Sequence, residues 1–217
     1  MEARRPYDID SVTDVAFGIF AERGFDAASM DDVARAAGIT KASIYHHVPS
    51  KEALLARGLD RALVALFGVL DEPAARQESA RERLARIVRR VAEITMSMRA
   101  EVSVLFRVRG NSTTERDAME RRRTFDAVVA DLVREAQAAG EIRADIDPAL
   151  IVRLIFGMST LVDSMVSHGL ASKSGEWSLP TIVSPITSAA LSPSTTLPIW
   201  YNNAQAILVS QGVSSDC

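Results

Sequence analysis

GITKASIYHHVPSKEAL, residues 38–54, decides how the rest of the chain is read. Gly38 stops one helix, Thr40 is placed to cap the next, and Pro49 breaks that next helix after about Val48. At 100° per residue, Ile44 and Val48 fall on one side, with Thr40, Lys41 and His47 at its shoulders. Ala42 and His46 point the opposite way, flanked by Ser43 and Tyr45. One face is therefore apolar and packs, while the other carries small, hydrogen-bonding and aromatic groups. Ser50 then caps a fourth helix with the stripe Leu55, Leu59, Ala62, Leu66 and Leu70.

Working back from Gly38, Ser29 and Asp32 match a capping box, and Met30, Val33, Ala34 and Ala37 form an i, i+3, i+4, i+7 stripe. Before that, a helix from about Asp10 to Arg23 turns Val12, Ala16, Ile19 and Phe20 inward and ends at Gly24. Two short helices joined by a tight turn, the second presenting polar groups, are the pattern of a helix-turn-helix whose second helix enters the major groove of double-stranded DNA. The motif spans about residues 30–49.

The residue types suit that task. Thr40 and Lys41 stand at a helix N-terminus, where amide N–H groups attract a phosphate and Lys41 adds a full charge. Ala42 and Ser43 permit close approach and offer a methyl or a hydroxyl to a base edge. Tyr45 and His46 suit phosphate oxygens or the sugar wall, and Ser50 with Lys51 opens a second N-terminus toward the backbone. Ser29 completes the candidate contact set. Over residues 35–57, Arg35, Lys41, Lys51 and Arg57 stand against Glu52, a local net of +3. Arg4 and Arg5 would form an arm touching DNA or a frayed terminus.

Longer helices follow Pro73. Ser79 and Glu82 form another capping box ahead of Leu84, Ile87, Val88, Val91, Ile94 and Met98. A short helix spans about 101–109, and a long one runs from about Thr114 to Ala139 with Phe125, Val128, Val129, Leu132 and Ala136 inward. Asp147 and Pro148 open an apolar helix carrying Leu150, Leu154, Ile155, Met158, Leu161, Val162 and Met165, which the pattern buries on two sides. The fold class is all-α, with a three-helix DNA-binding unit linked by a fourth helix to a larger helical part. Met96, Met98, Phe106, Phe125, Phe156 and Met158 are candidates to line a ligand pocket, although at helical spacing such residues also make plain core.

Bulk numbers exclude other classes. The chain has 217 residues, 47% of them hydrophobic, so it can bury a core. Its net charge of −3 provides no global basic field, so a polyanion must be met by a local arrangement. The single cysteine, Cys217, excludes a disulfide framework and points to the cytoplasm. His46 and His47 are adjacent and face different ways on a helix, which argues against a metal site. There is no nucleophile elbow or glycine-rich phosphate loop, so no enzyme is expected, and no cofactor. The uncharged stretch 177–215 is broken by Pro180, Pro185, Pro193 and Pro198, so it is no membrane-spanning helix.

The stretch AFGIFAERGFDAASMDDVARAAGITKASIYHHVPSKEALL, residues 16–55, resembles the N-terminal domain of TetR family transcription regulators, with Phe20, Gly24, Phe25, Ser29, Ile39, Lys41, Tyr45 and Pro49 to Glu52 at family spacing. Val48 stands where that family usually has phenylalanine, so slightly looser packing is expected. The resemblance implies a DNA-binding domain at 6–66 and a helical regulatory and dimerisation domain at 67–169. It further implies a homodimer reading a palindromic operator, and a repressor released by a small-molecule effector. A helix-turn-helix that binds protein instead of DNA is the rival reading. Residues 170–217 fit poorly: only Lys173, Glu176 and Asp216 are charged, and the long helix the resemblance places there is missing. Either dimerisation is unusual or the tail comes from a shifted reading frame, and the abrupt loss of charge favours the second.

Overall fold

The structure, a computed structural model, describes residues 8–73 and 78–167, the last ten as backbone only. The arm at Arg4 and Arg5, the side chain of Met158 and the tail 170–217 lie outside the described residues. Among these there are eight helices and no strand: α1 (Ile9–Arg23), α2 (Met30–Ala37), α3 (Lys41–Tyr45), α4 (Lys51–Leu70), α5 (Ala80–Ser97), α6 (Arg99–Arg107), α7 (Thr113–Ala138) and α8 (Pro148–Ser167).

Local chemistry sets the boundaries. Ser29 and Ser79 each form a complete capping box, with Asp32 and Glu82. Gly38, at φ 67°, closes α2 in the left-handed conformation a side chain resists, and the N–H of Ile39 reaches back to the Ala34 carbonyl at 3.1 Å. Thr40 and Ser50 cap α3 and α4 by accepting from the N–H groups of Ser43 and Ala53. Asp147 caps α8 through the N–H of Leu150 at 3.1 Å.

Three expectations need correction. Helix α3 ends at Tyr45 instead of Val48. The N–H groups of His47 and Val48 both turn back to the Ile44 carbonyl, at 2.9 and 3.0 Å, tightening the chain into a turn. The residue before proline resists the helical conformation, and here it also buries Val48 to 5% exposure. Helix α6 begins and ends two residues earlier than expected, because α5 ends at Ser97 and Met98 alone separates it from α6. Val128, expected inward, is 44% exposed.

The core of the first three helices gathers Phe17, Phe20, Val33, Ile44 and Val48 on the first half of α4, which supplies Leu54, Leu55 and Leu59. The rings of Phe17, Phe20 and Phe25 meet edge to face, with centroids 5.5 and 5.2 Å apart. The second half of α4 packs against α5 and α7, and Phe67, Phe125 and Phe156 carry aromatic contact from α4 through α7 to α8 at 5.7 and 5.6 Å. Burying each Leu, Ile or Phe here is worth about 1.5–3 kcal/mol. Helix α4 is thus one rigid element shared by both halves of the molecule.

Polar ties cross the same junction. Arg57 pairs with Asp10 at 2.8 Å, and Arg61 pairs with Asp14 at 2.8 Å and with buried Glu101 at 3.2 Å, joining α4 to α1 and α6. The Ser112 hydroxyl donates to Glu52 at 2.5 Å. Buried Glu115 accepts from the N–H groups of Arg109, Gly110 and Asn111 at 2.8–3.0 Å, which orders the turn between α6 and α7.

Candidate nucleic-acid interface

Helix α3 presents the face that its periodicity implies. Ile44 is fully buried and Val48 nearly so, whereas Lys41, Ala42, Tyr45, His46 and His47 are exposed and Ser43 is half-buried. Two apolar anchors thereby orient five outward positions. Anchoring on Ile44 and Val48 fixes the rotation of the helix, which is what a surface that must meet base edges requires.

The hydroxyls are engaged in holding the turn. Thr40 Oγ1 accepts from the Ser43 N–H at 3.1 Å and lies 2.8 Å from Ser43 Oγ. Ser29 Oγ donates to Asp32 at 2.6 Å, and Ser50 Oγ accepts from the Ala53 N–H at 3.0 Å. The Ser29 hydrogen bond, followed by the Ser29 N–H, holds the Asp32 carboxyl below its ordinary range, with Arg23 and Arg35 adding to the effect. Each of these hydroxyls keeps a lone pair or rotor for a second partner.

Lys41 and Lys51 behave differently from each other. The Lys41 ammonium reaches across the turn to Asp31 at 2.8 Å, and this hydrogen bond raises its pKa. The Lys51 ammonium turns into the α1–α2 loop, donating to the carbonyls of Phe25 and Ala28 at 2.8 Å each and lying 4.4 Å from the centre of the Phe25 ring. Lys51 therefore clamps that loop, with its charge directed into the fold.

The local net of +3 also looks different in three dimensions. Residues 8–66 hold nine carboxylates and six basic side chains. Arg23 and Arg35 meet Asp32, at 3.5 and 3.2 Å; Lys41 meets Asp31; Arg57 and Arg61 meet Asp10 and Asp14. Asp10, Asp31 and Asp32 lie outside the window over which the sum was taken, and folding delivers them to it. The surface around α3 is charge-compensated, and Asp31 is the residue that pattern reading overlooked. Its only sequence signal is an acid in the first turn of α2, which helix-dipole preference already explains.

Of the six ligand-pocket candidates, the five whose side chains are described do not converge. Met96 is 59% exposed on α5, and Met98 is half-buried against the core. Phe125 and Phe156 pack on each other in the core. Among the described five, Phe106 alone lines a cleft of about 710 Å³, shared with Phe20, Phe25, Leu55, Val104 and Arg107. Arg122 covers its ring at 4.9 Å. The cleft lies where the end of α1 faces the end of α6. Among the described residues, no group of His, Cys, Asp and Glu is arranged to hold a metal ion, and no helix is long and apolar enough to cross a membrane.

Comparison with known proteins matches two family models. Residues 12–57 match the bacterial regulatory proteins of the tetR family, and residues 77–192 match the tetracyclin repressor-like C-terminal domain. The second match runs past α8 into the proline-rich tail. The HTH-type transcriptional repressor KstR2 of Mycolicibacterium smegmatis is 30% identical over 150 residues, covering 67% of this chain and 73% of that protein. The crystal structure of SCO3833, a TetR family member from Streptomyces coelicolor A3, is 42% identical with a TM-score of 0.72, covering 89% of this chain and 94% of that one. AibR, crystallised with isovaleryl coenzyme A and operator DNA, shares the fold with a TM-score of 0.70 at 19% identity, over 86% of this chain and 99% of that one.

Proposed function

We propose that this chain, which belongs to the tetR family of bacterial regulatory proteins, is a sequence-specific DNA-binding repressor of transcription. The observation that carries the reading is α3: a short helix locked by Ile44 and Val48 with Lys41, Ala42, Tyr45 and His46 turned outward. Ala42 and Ser43 face base edges, Tyr45 and His46 face sugar and phosphate, and Lys41 supplies charge. Ser29, Thr40 and Ser50 hold the helix ends against the backbone of the duplex. Lys51 contributes by fixing the loop before α2.

The working unit is a cytoplasmic homodimer, whose two α3 helices read successive major grooves of a palindromic operator with half-sites about one helical turn, or a multiple, apart. The chain divides into a DNA-binding domain at 6–66, a regulatory and dimerisation domain at 67–169 and an atypical tail at 170–217. A small-molecule effector bound in the helical C-terminal part releases the operator, and the shared helix α4 carries the change between the two. KstR2 is a repressor and AibR has been crystallised with a coenzyme A thioester, which supports this assignment of roles. The protein is a regulator and performs no chemistry on its ligand.

A gel shift with duplexes flanking the chain's own gene tests this. A retarded band that weakens steeply with salt is expected. Indifference to every duplex at low ionic strength would refute it.

A further inference from the structure

We propose that Asp31 is a specificity-determining residue of the duplex-binding face, withholding the Lys41 ammonium from arbitrary DNA and aiming it in the operator complex. The inference rests on the reading of α3 as the recognition helix. Asp31 sits in the first turn of α2 and Lys41 in the first turn of α3, ten residues apart, and the turn at Gly38 brings their side chains to 2.8 Å. Both remain open to solvent, 60% and 47% exposed, so a phosphate that approaches Lys41 also approaches Asp31.

The two kinds of complex respond differently. Binding to arbitrary DNA draws essentially all its free energy from basic groups meeting phosphates. There, Lys41 must leave or share its carboxylate, and Asp31 repels the incoming phosphate. Among the described residues, no surplus of positive charge nearby offsets this, because Arg23, Arg35, Arg57 and Arg61 are themselves paired with Asp32, Asp10 and Asp14. In the operator complex, the seating of α3 on base edges brings one phosphate to a fixed place. A lysine already held by Asp31 then has less side-chain freedom to lose. That gain offsets part of the repulsion, so Asp31 weakens operator binding less than it weakens random binding. An acid in a helix's first turn would also favour α2 through the dipole, and that role alone would leave DNA selectivity untouched.

The test measures Asp31→Asn, Asp31→Glu and Lys41→Ala in the full chain against two duplexes of equal length. One is an operator selected by the protein from random sequence, the other an arbitrary sequence. Asp31→Asn is expected to raise affinity for the arbitrary duplex about three- to tenfold at low salt and to steepen its log–log salt slope by about 1. Affinity for the operator should rise less, so that the ratio of the two falls about two- to fivefold, on the scale of one exposed ion pair. Asp31→Glu should restore most of the ratio, and in a Lys41→Ala background the asparagine substitution should no longer alter it. Equal rises on both duplexes, or no change on either, would overturn the proposal while leaving the functional reading intact. If the wild type binds no duplex, the functional reading itself fails and this inference with it.

Discussion

Gly58 lies in the middle of α4, where glycine costs about 1 kcal/mol of helix stability relative to alanine. On that ground alone, Gly58→Ala would be a stabilising change. The packing argues otherwise: a Cβ at Gly58 would stand 2.0 Å from Phe17 Cε2, 2.3 Å from Cζ and 2.6 Å from Cδ2. The Phe17 ring is fully buried and set edge to face against Phe20, so it has no solvent side to retreat to. Overpacking of this kind costs about 1–3 kcal/mol, occasionally more, against about 1 kcal/mol returned by propensity. The net loss is about 0–2 kcal/mol, which at about 2–4 °C per kcal/mol for a chain of this size lowers Tm by up to about 8 °C. Gly68, in the same helix, has nothing within 4 Å of its Cβ position, so Gly68→Ala is the matched control and should leave Tm unchanged or raise it. Phe17→Leu combined with Gly58→Ala should cost less than the sum of the two single changes, by about 0.5–3 kcal/mol in a double-mutant cycle followed by thermal or urea unfolding. A Gly58→Ala variant as stable as the Gly68→Ala control, or a cycle that closes additively, would refute the close packing of α1 on α4.

Other predictions concern the polar ties. Lys51→Met strands the carbonyls of Phe25 and Ala28; it should lower stability by about 1–3 kcal/mol in denaturant titration and leave the salt slope of duplex binding unchanged. Arg61→Met leaves Glu101 buried without its partner and should cost about 1–3 kcal/mol, measured the same way, with Glu101→Gln in the same background recovering part of it. Lys41→Ala should weaken binding to every duplex, the operator somewhat more than an arbitrary one, and flatten the salt slope by about 1; a change confined to base preference would contradict its phosphate role. Asp32 is more acidic folded than unfolded because Ser29 bonds its carboxylate, so its contribution is present above the unfolded carboxyl's pKa of about 3.9 and is lost as pH falls through the lower folded value. Ser29→Ala should therefore move the midpoint of acid unfolding upward, followed by far-ultraviolet circular dichroism.

Features that depend on neighbours within four residues were readable in the chain itself. The capping boxes at Ser29 and Ser79, the stop at Gly38 and the inward pair Ile44 and Val48 all belong to this class. Phe17 escaped because α1 is packed from more than one side, by α2 and α4 and by α6, and a single stripe on a wheel cannot show a second buried face. The end of α3 was placed three residues late because Pro49 marks where a helix cannot continue, whereas the demand that Val48 enter the core decides where it does end.

The order of eight helices, their caps and the face that α3 turns outward were determined by sequence alone, since helical period and capping act over one turn of chain. Only the tertiary structure decided which charges remain available. Arg57 finds Asp10 across 47 residues, Lys51 finds the Phe25 carbonyl across 26, and Lys41 finds Asp31 around a turn. Charge compensation depends on distance in space, falls off steeply in water and is set by how α1, α2 and α4 pack, so a sum over a window of sequence counts cations that the fold has already paired.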